Sequence, residues 1–214
     1  MKKIIGHMSA ATVICISINS AIAAGSSLNL KVKGEITAPS CIINLNDNGV
    51  VDLGKIATNS IQANTPTKLN DPRPITIQAT CDADTALTFS IVDNRVATAS
   101  TPSTKHFGLG SVNGTGKLGY YGIKMKMGYV DSKEVNLFAV AKSSASFGTS
   151  KEVDVDTSKI MGWSESDNKL AIGKNFISVL QVMPYLASAK DMGGSVPEDT
   201  KLDGSATLSF AFGI

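Results

Sequence analysis

Apolar and polar residues alternate along much of this chain with the two-residue period of a β-strand. Leu28, Leu30, Val32 and Ile36 share one side of an opening segment, and Gly34 holds the one place on that side without a side chain. Asn29, Lys31, Lys33 and Glu35 fall between them. ITIQATC alternates into Cys81, and ALTFSIVD sets Leu87, Phe89 and Ile91 on one face. KLGYYGIKMKMGYV places Tyr121, Ile123, Met125 and Met127 opposite Lys124 and Lys126. EVNLFAVA is expected to pair with it across Asp131, Ser132 and Lys133. NFISVLQVMPYLAS reads as a long apolar strand, bent or bulged at Pro184. At the end, Ala206, Leu208, Phe210, Phe212 and Ile214 share one face to the last residue.

The stretches between these strands are rich in turn residues. NLNDNG is a turn, and ANTPTKLNDPRP is a loop whose prolines exclude a central strand. NRVATASTPSTKHFGLGSVNGTG reads as a long exposed connection, and SSASFGTSKEVDVDTSKIMGWSESDNK as loop with short strands. Helical signals are scarce and no internal repeat is visible. The pattern predicts an all-β sandwich, in one domain.

The first residues read differently. Lys2 and Lys3 precede a mostly apolar run from Ile4 to Ile18, and Ala21-Ile22-Ala23 fits a small-x-small cleavage site. Residues 1–23 are therefore assigned to an export signal, cut after Ala23 or Ala24. The run is too short for a good membrane span, so no membrane insertion is expected. Removing Lys2 and Lys3 from the 20 basic residues leaves 18, matching the 18 acidic ones. With Arg73 and Arg95 the only arginines, a nucleic-acid partner is not expected. Cys15 leaves with the signal. Cys41 and Cys81 remain, and an even pair in an exported chain predicts a disulfide.

The candidate chemistry is thin. His106 is the one histidine after the signal, and no G-x-S-x-G surrounds any serine, so no catalytic residues, metal site or cofactor are assigned. EVDVD aligns Glu152, Asp154 and Asp156 on one face of a strand, which reads as a solvated face rather than a weak cation site. Trp163 with Tyr120, Tyr121 and Tyr129 reads as core or rim aromatics rather than a sugar-binding surface.

Both ends are thus amphipathic strands, and the C-terminal one presents an edge that needs a partner. A strand from another copy would supply it by β-strand addition. An opening strand folded into its own domain has the same pattern, so periodicity leaves both arrangements open.

VKGEITAPSCIINLNDNGVVDLGKI, a second cysteine 40 residues on and the alternating aromatic C-terminus resemble subunits of chaperone–usher pili, in a divergent pilin-like branch. The resemblance implies an incomplete immunoglobulin-like sandwich completed by a donated strand. Residues 24–36 would be the donor extension and 37–214 the sandwich domain. Leu28, Leu30, Val32, Gly34 and Ile36 would be the donor positions. Ala206, Leu208, Phe210, Phe212 and Ile214 would form the groove-edge strand that a chaperone recognises. The family's penultimate Tyr is replaced here by Gly213, with Phe212 before it. The implied partners are a periplasmic chaperone, an outer-membrane usher and neighbouring pilus subunits. The implied place is the cell surface, and the implied function is structural, polymerising by donor-strand exchange and supporting adhesion. The alternative is an adhesive tip subunit or a secreted β-sandwich that binds carbohydrate or protein.

Overall fold

A computed structural model of the protein describes residues 28–69, 72–144 and 146–213. The expected export signal, residues 24–27 of the donor extension, and Ile214 lie outside the described residues. The chain divides into residues 1–37 and residues 38–214, and each unit is described by itself. In the first unit, residues 28–37 form no β-ladder. Leu28, Leu30, Val32 and Ile36 are 94%, 91%, 89% and 102% exposed.

The second unit is built of antiparallel strands, with short 3-10 turns and no α-helix among the described residues. In chain order the strands are β1 (Cys41–Leu45), β2 (Thr67–Lys68), β3 (Arg73–Thr85), β4 (Leu87–Asp93), β5 (Phe107–Gly108), β6 (Ser111–Val112) and β7 (Gly116–Lys117). They continue as β8 (Gly119–Val130), β9 (Lys133–Ala141), β10 (Glu152–Asp154), β11 (Lys159–Ser166), β12 (Lys169–Leu170), β13 (Gly173–Leu186) and β14 (Ala206–Phe212). A single 12-stranded sheet runs β1-β3-β13-β8-β9-β11-β4-β14, with short strands attached beside it and β6-β7 as a separate hairpin. β1 and β14 are the two ends of this path.

β9 divides its length between two neighbours. Its first residues pair with β8, Val130 opposite Lys133, and its remainder pairs with β11 from Asn136 to Ala141. Asp131 and Ser132 both take left-handed φ values, 46° and 67°, as a two-residue hairpin turn requires. The Asp131 carboxylate accepts from the Lys174 and Asn175 amides, tying the turn to the start of β13.

Alternation sends one face of the strands inward. Ile75, Ile77, Ala79 and Cys81 of β3 are buried, as are Phe89 and Ile91 of β4. Trp163 of β11 lies in the same core, its Nε1 donating to the Ile177 carbonyl at 2.9 Å and its ring edge-on to Phe176 at 5.4 Å. Cys41 and Cys81 face each other across β1 and β3 and are joined by a disulfide. That bond suits a chain folded in an oxidising compartment.

Three expectations need correction. Met127 does not continue the inward face of β8; it lies at a bulge with φ 56° and is mostly exposed. Met127 and Gly128 together face Ser178, and the extra residue moves Gly128 and Val130 to the inside. A Cβ on Gly128 would lie 2.7 Å from Leu137 Cδ2, so glycine is needed at that inward place. The irregularity expected at Pro184 is therefore at Ser178. The register with β8 runs unbroken through Pro184 opposite Tyr121. Pro184 falls where pairing passes from β3, ending at Val182, to β2, beginning at Tyr185. Such a gap tolerates a residue without an N–H.

The third correction concerns residues 94–116, which are not an exposed connection throughout. Ala99, Phe107, Leu109 and Val112 are buried. Asp93 holds the returning chain, accepting from Gly108 N at 2.9 Å and from Arg95 N at 2.8 Å.

Candidate functional site: an apolar groove beside the C-terminal strand

A groove of about 1180 Å³ lies inside the 38–214 unit. Its floor comes from Ile75 of β3, Ile123 of β8 and Leu180 and Leu186 of β13. One wall is the connection after β1, with Val51 and Ile56; the other is Leu202 and Leu208, before and within β14. These side chains reach the groove because inward-facing positions recur every second residue along each strand. Leu180 to Leu186 gives it a length of about 20 Å at ~3.3 Å per residue.

Each wall carries backbone that joins no ladder across the groove among the described residues. β14 is paired to β4 throughout, from Ala206 opposite Asp93 to Phe212 opposite Leu87, and has no other ladder among the described residues. Val51–Ile56 makes no backbone ladder bond among the described residues; the Gly54 amide bonds the Asp52 side chain at 2.8 Å. An edge of this kind invites a further strand.

The C-terminal residues divide between two roles. Phe210 is half-buried and packs on Phe89 at 5.4 Å, closing the core at its end of β14. Ala206 and Leu208 line the groove. Phe212 is 45% exposed, so it fills neither.

The start of β14 is pinned by polar contacts. Arg95 donates to Asp203 at 2.8 Å, and the Asp203 amide bonds the Leu109 carbonyl at 2.9 Å. Asn94 Nδ2 donates to Ser205 Oγ and Thr207 Oγ1, both at 3.0 Å. Gly204 passes so close to Tyr121 that a Cβ there would lie 2.8 Å from Cε1. Tyr121 is buried and stacks on Phe107, and its burial pushes the phenol well above its ordinary range.

The other candidates do not form a site. Glu152 pairs with Lys124 at 2.7 Å and with Lys126 at 3.4 Å, while Asp154 pairs with Lys105 at 2.9 Å. The Lys124 and Lys126 ammonium groups hold Glu152 below its usual range, and the Asp154 contact holds Lys105 above its own. Asp156 does not share their face; it is buried. Its burial favours the neutral acid, but bonds from Ser158 and Thr104 outweigh this and hold the carboxyl below its ordinary value. No group of metal-ligating residues occurs among the described residues. Trp163 and Tyr121 are core residues, whereas Tyr120 is half-exposed between His106 and Tyr185, at 4.0 and 4.8 Å. In this column the faces of the Tyr120 ring are taken by His106 and Tyr185 rather than left open for a sugar.

Sequence reasoning found the edge strand but missed the groove walls at Val51, Ile56 and Leu202. A family model described as a protein of unknown function (DUF1120) matches residues 30–107. That stretch holds Cys41 and Cys81 of the disulfide, most of the exposed 28–36 segment and one wall of the groove. No curated protein matches the chain.

Proposed function

We propose that this protein is a non-enzymatic structural subunit of a chaperone–usher type fimbria, exported through the periplasm to the cell surface. Its 38–214 unit acts as an incomplete immunoglobulin-like sandwich, and the groove takes the missing strand. A periplasmic chaperone occupies the groove first. At the outer-membrane usher, the 28–36 segment of a neighbouring subunit replaces it.

The observation that carries this reading is the apolar groove beside the unpaired edge of β14, in a chain that also exposes Leu28, Leu30, Val32 and Ile36. The dimensions agree: Leu28 to Gly34, extended, spans about 20 Å, the length of the groove floor. Burying the three apolar side chains within that span, Leu28, Leu30 and Val32, contributes on the order of 5–9 kcal/mol before ordering costs. Ladder bonds add roughly 1 kcal/mol each. That total suits a non-covalent fibre. Gly34 suits a close approach of two backbones.

The test is assembly in cells that carry the matching chaperone and usher. The native chain should yield head-to-tail polymers in sheared surface preparations. Leu30→Asp should leave a folded, chaperone-bound monomer and no polymer. Unfolding of the Leu30→Asp monomer, with any folded fraction still polymerising, would assign the segment to its own domain and end this reading.

A further inference from the structure

The rim of the groove carries five charged residues: Asp52 and Lys55 on one wall, Glu198, Asp199 and Lys201 on the other. None of the five has an ion-pair partner among the described residues. Elsewhere on the unit some lysines and carboxylates meet directly, as in Lys124–Glu152, Lys105–Asp154 and Lys151–Glu134. Others, such as Lys133 and Lys190, stand unpaired among the described residues as the rim residues do. The rim is therefore an unpaired set with three acids and two bases, bordering an apolar trough.

The exposed segment has the opposite balance. If Leu28, Leu30 and Val32 enter the groove, period-2 alternation turns Asn29, Lys31, Lys33 and Glu35 outward, between the two walls. Two lysines and one acid then face three acids and two lysines. Flexible lysine stems reach sideways from a strand while their ammonium groups stay in water.

We propose that the groove selects its strand by charge as well as by apolar shape, and that the strand it prefers is residues 28–36 of a second copy of this chain. Asp52, Glu198 and Asp199 take the ammonium groups of Lys31 and Lys33, and Glu35 is received by Lys55 or Lys201. This rests on the reading of the groove as a strand acceptor and adds the identity of its occupant. Exposed pairs of this kind add little final affinity. Their main effect is on encounter: complementary patches raise association rates and disfavour wrong partners, and salt screens both effects.

The experiment uses the full-length chain with Leu30→Asp, whose own segment no longer competes, with folding checked by circular dichroism. Three synthetic peptides are compared by stopped-flow fluorescence: residues 27–37, the same peptide with Lys31→Glu and Lys33→Glu, and one with both lysines replaced by serine. At low ionic strength the native peptide should associate about ten-fold faster than the reversed one, with the neutral peptide between them. The difference should close in 1 M salt, where the Debye length is about 3 Å. Glu198→Lys with Asp199→Lys in the acceptor should invert the order. Equal rates for all three peptides at every salt concentration would overturn charge selection and leave the groove as a strand acceptor. Binding by none of them, to a folded acceptor, would overturn both.

Discussion

Arg95 Nε and Nη2 each lie 2.8 Å from one oxygen of Asp203, Oδ2, linking the end of β4 to the chain that enters β14. The pair is solvent-exposed, with side chains 38% and 63% accessible, so its contribution to global stability is at most about 1 kcal/mol. Its value is local. It fixes the place where the groove wall begins, together with the Asp203 amide on Leu109 and the close pass of Gly204 over Tyr121. Arg95→Ala should therefore shift the urea midpoint only slightly, while amide exchange at residues 202–206 speeds markedly. Uniform loss of protection across the core would show that the pair supports the whole fold.

Gly204→Val should cost more than Arg95→Ala. The added Cβ would lie 2.8 Å from Tyr121 Cε1 and 3.2 Å from Leu109 Cδ2, both on buried residues held by their neighbours. Overpacking of this kind costs roughly 1–3 kcal/mol. A thermal melt of the variant reads it, and an unchanged midpoint would mean that this end of the groove yields freely.

The Cys41–Cys81 disulfide closes a loop of 40 residues, for which chain-entropy reasoning gives about 4 kcal/mol. Thiol titration of the denatured, unreduced protein should find no free cysteine in the exported chain. Replacing both cysteines by alanine should lower the urea midpoint by an amount of that order. It should also loosen β1, which among the described strands pairs only with β3.

Acid should weaken the fold through two carboxylates. The Asn175 and Lys174 amides hold Asp131 below its ordinary 3.8. Ser158 and Thr104 do the same for Asp156, against the opposing effect of its burial. A carboxyl whose folded value is depressed adds stability above its unfolded value and loses it as pH falls through the folded value. Stability should thus decline as pH drops below about 4. Asp131→Asn, which keeps an acceptor and tolerates the left-handed φ of 46°, should flatten that decline. Urea melts at pH 7 and pH 3 compare the two chains, and an unchanged slope would exclude Asp131.

How much of this was legible depends on the period. Where strands keep strict alternation, as in Ile75 to Cys81 or Leu87 to Ile91, sequence alone names the inward face. It fails at Met127, because a one-residue bulge inverts the faces and only the crowding of Gly128 against Leu137 fixes its place. It fails again at residues 94–116, where a polar, Gly-rich composition conceals a chain drawn inward by the buried Asp93. The edge strand could be read from its alternation. The groove could not, since Val51, Ile56 and Leu202 lie far from β13 in the sequence and line the groove with it only once the chain is folded.

The last prediction separates donor from acceptor. A chain with Leu30→Asp keeps its groove but loses its strand, because burying a carboxylate in an apolar trough without a partner is costly. A chain with Leu208→Asp keeps its strand but carries the charge in its groove wall. Each alone should stay monomeric. Mixed in equal amounts, they should form a 1:1 dimer and nothing longer, since the mixture holds one working strand and one working groove per pair. Gly34→Val in the Leu208→Asp partner should weaken that dimer through backbone crowding, without any change of charge. Light scattering coupled to size exclusion reads all three states. A mixture that remains monomeric although both chains are folded would show that the 28–36 segment does not enter this groove.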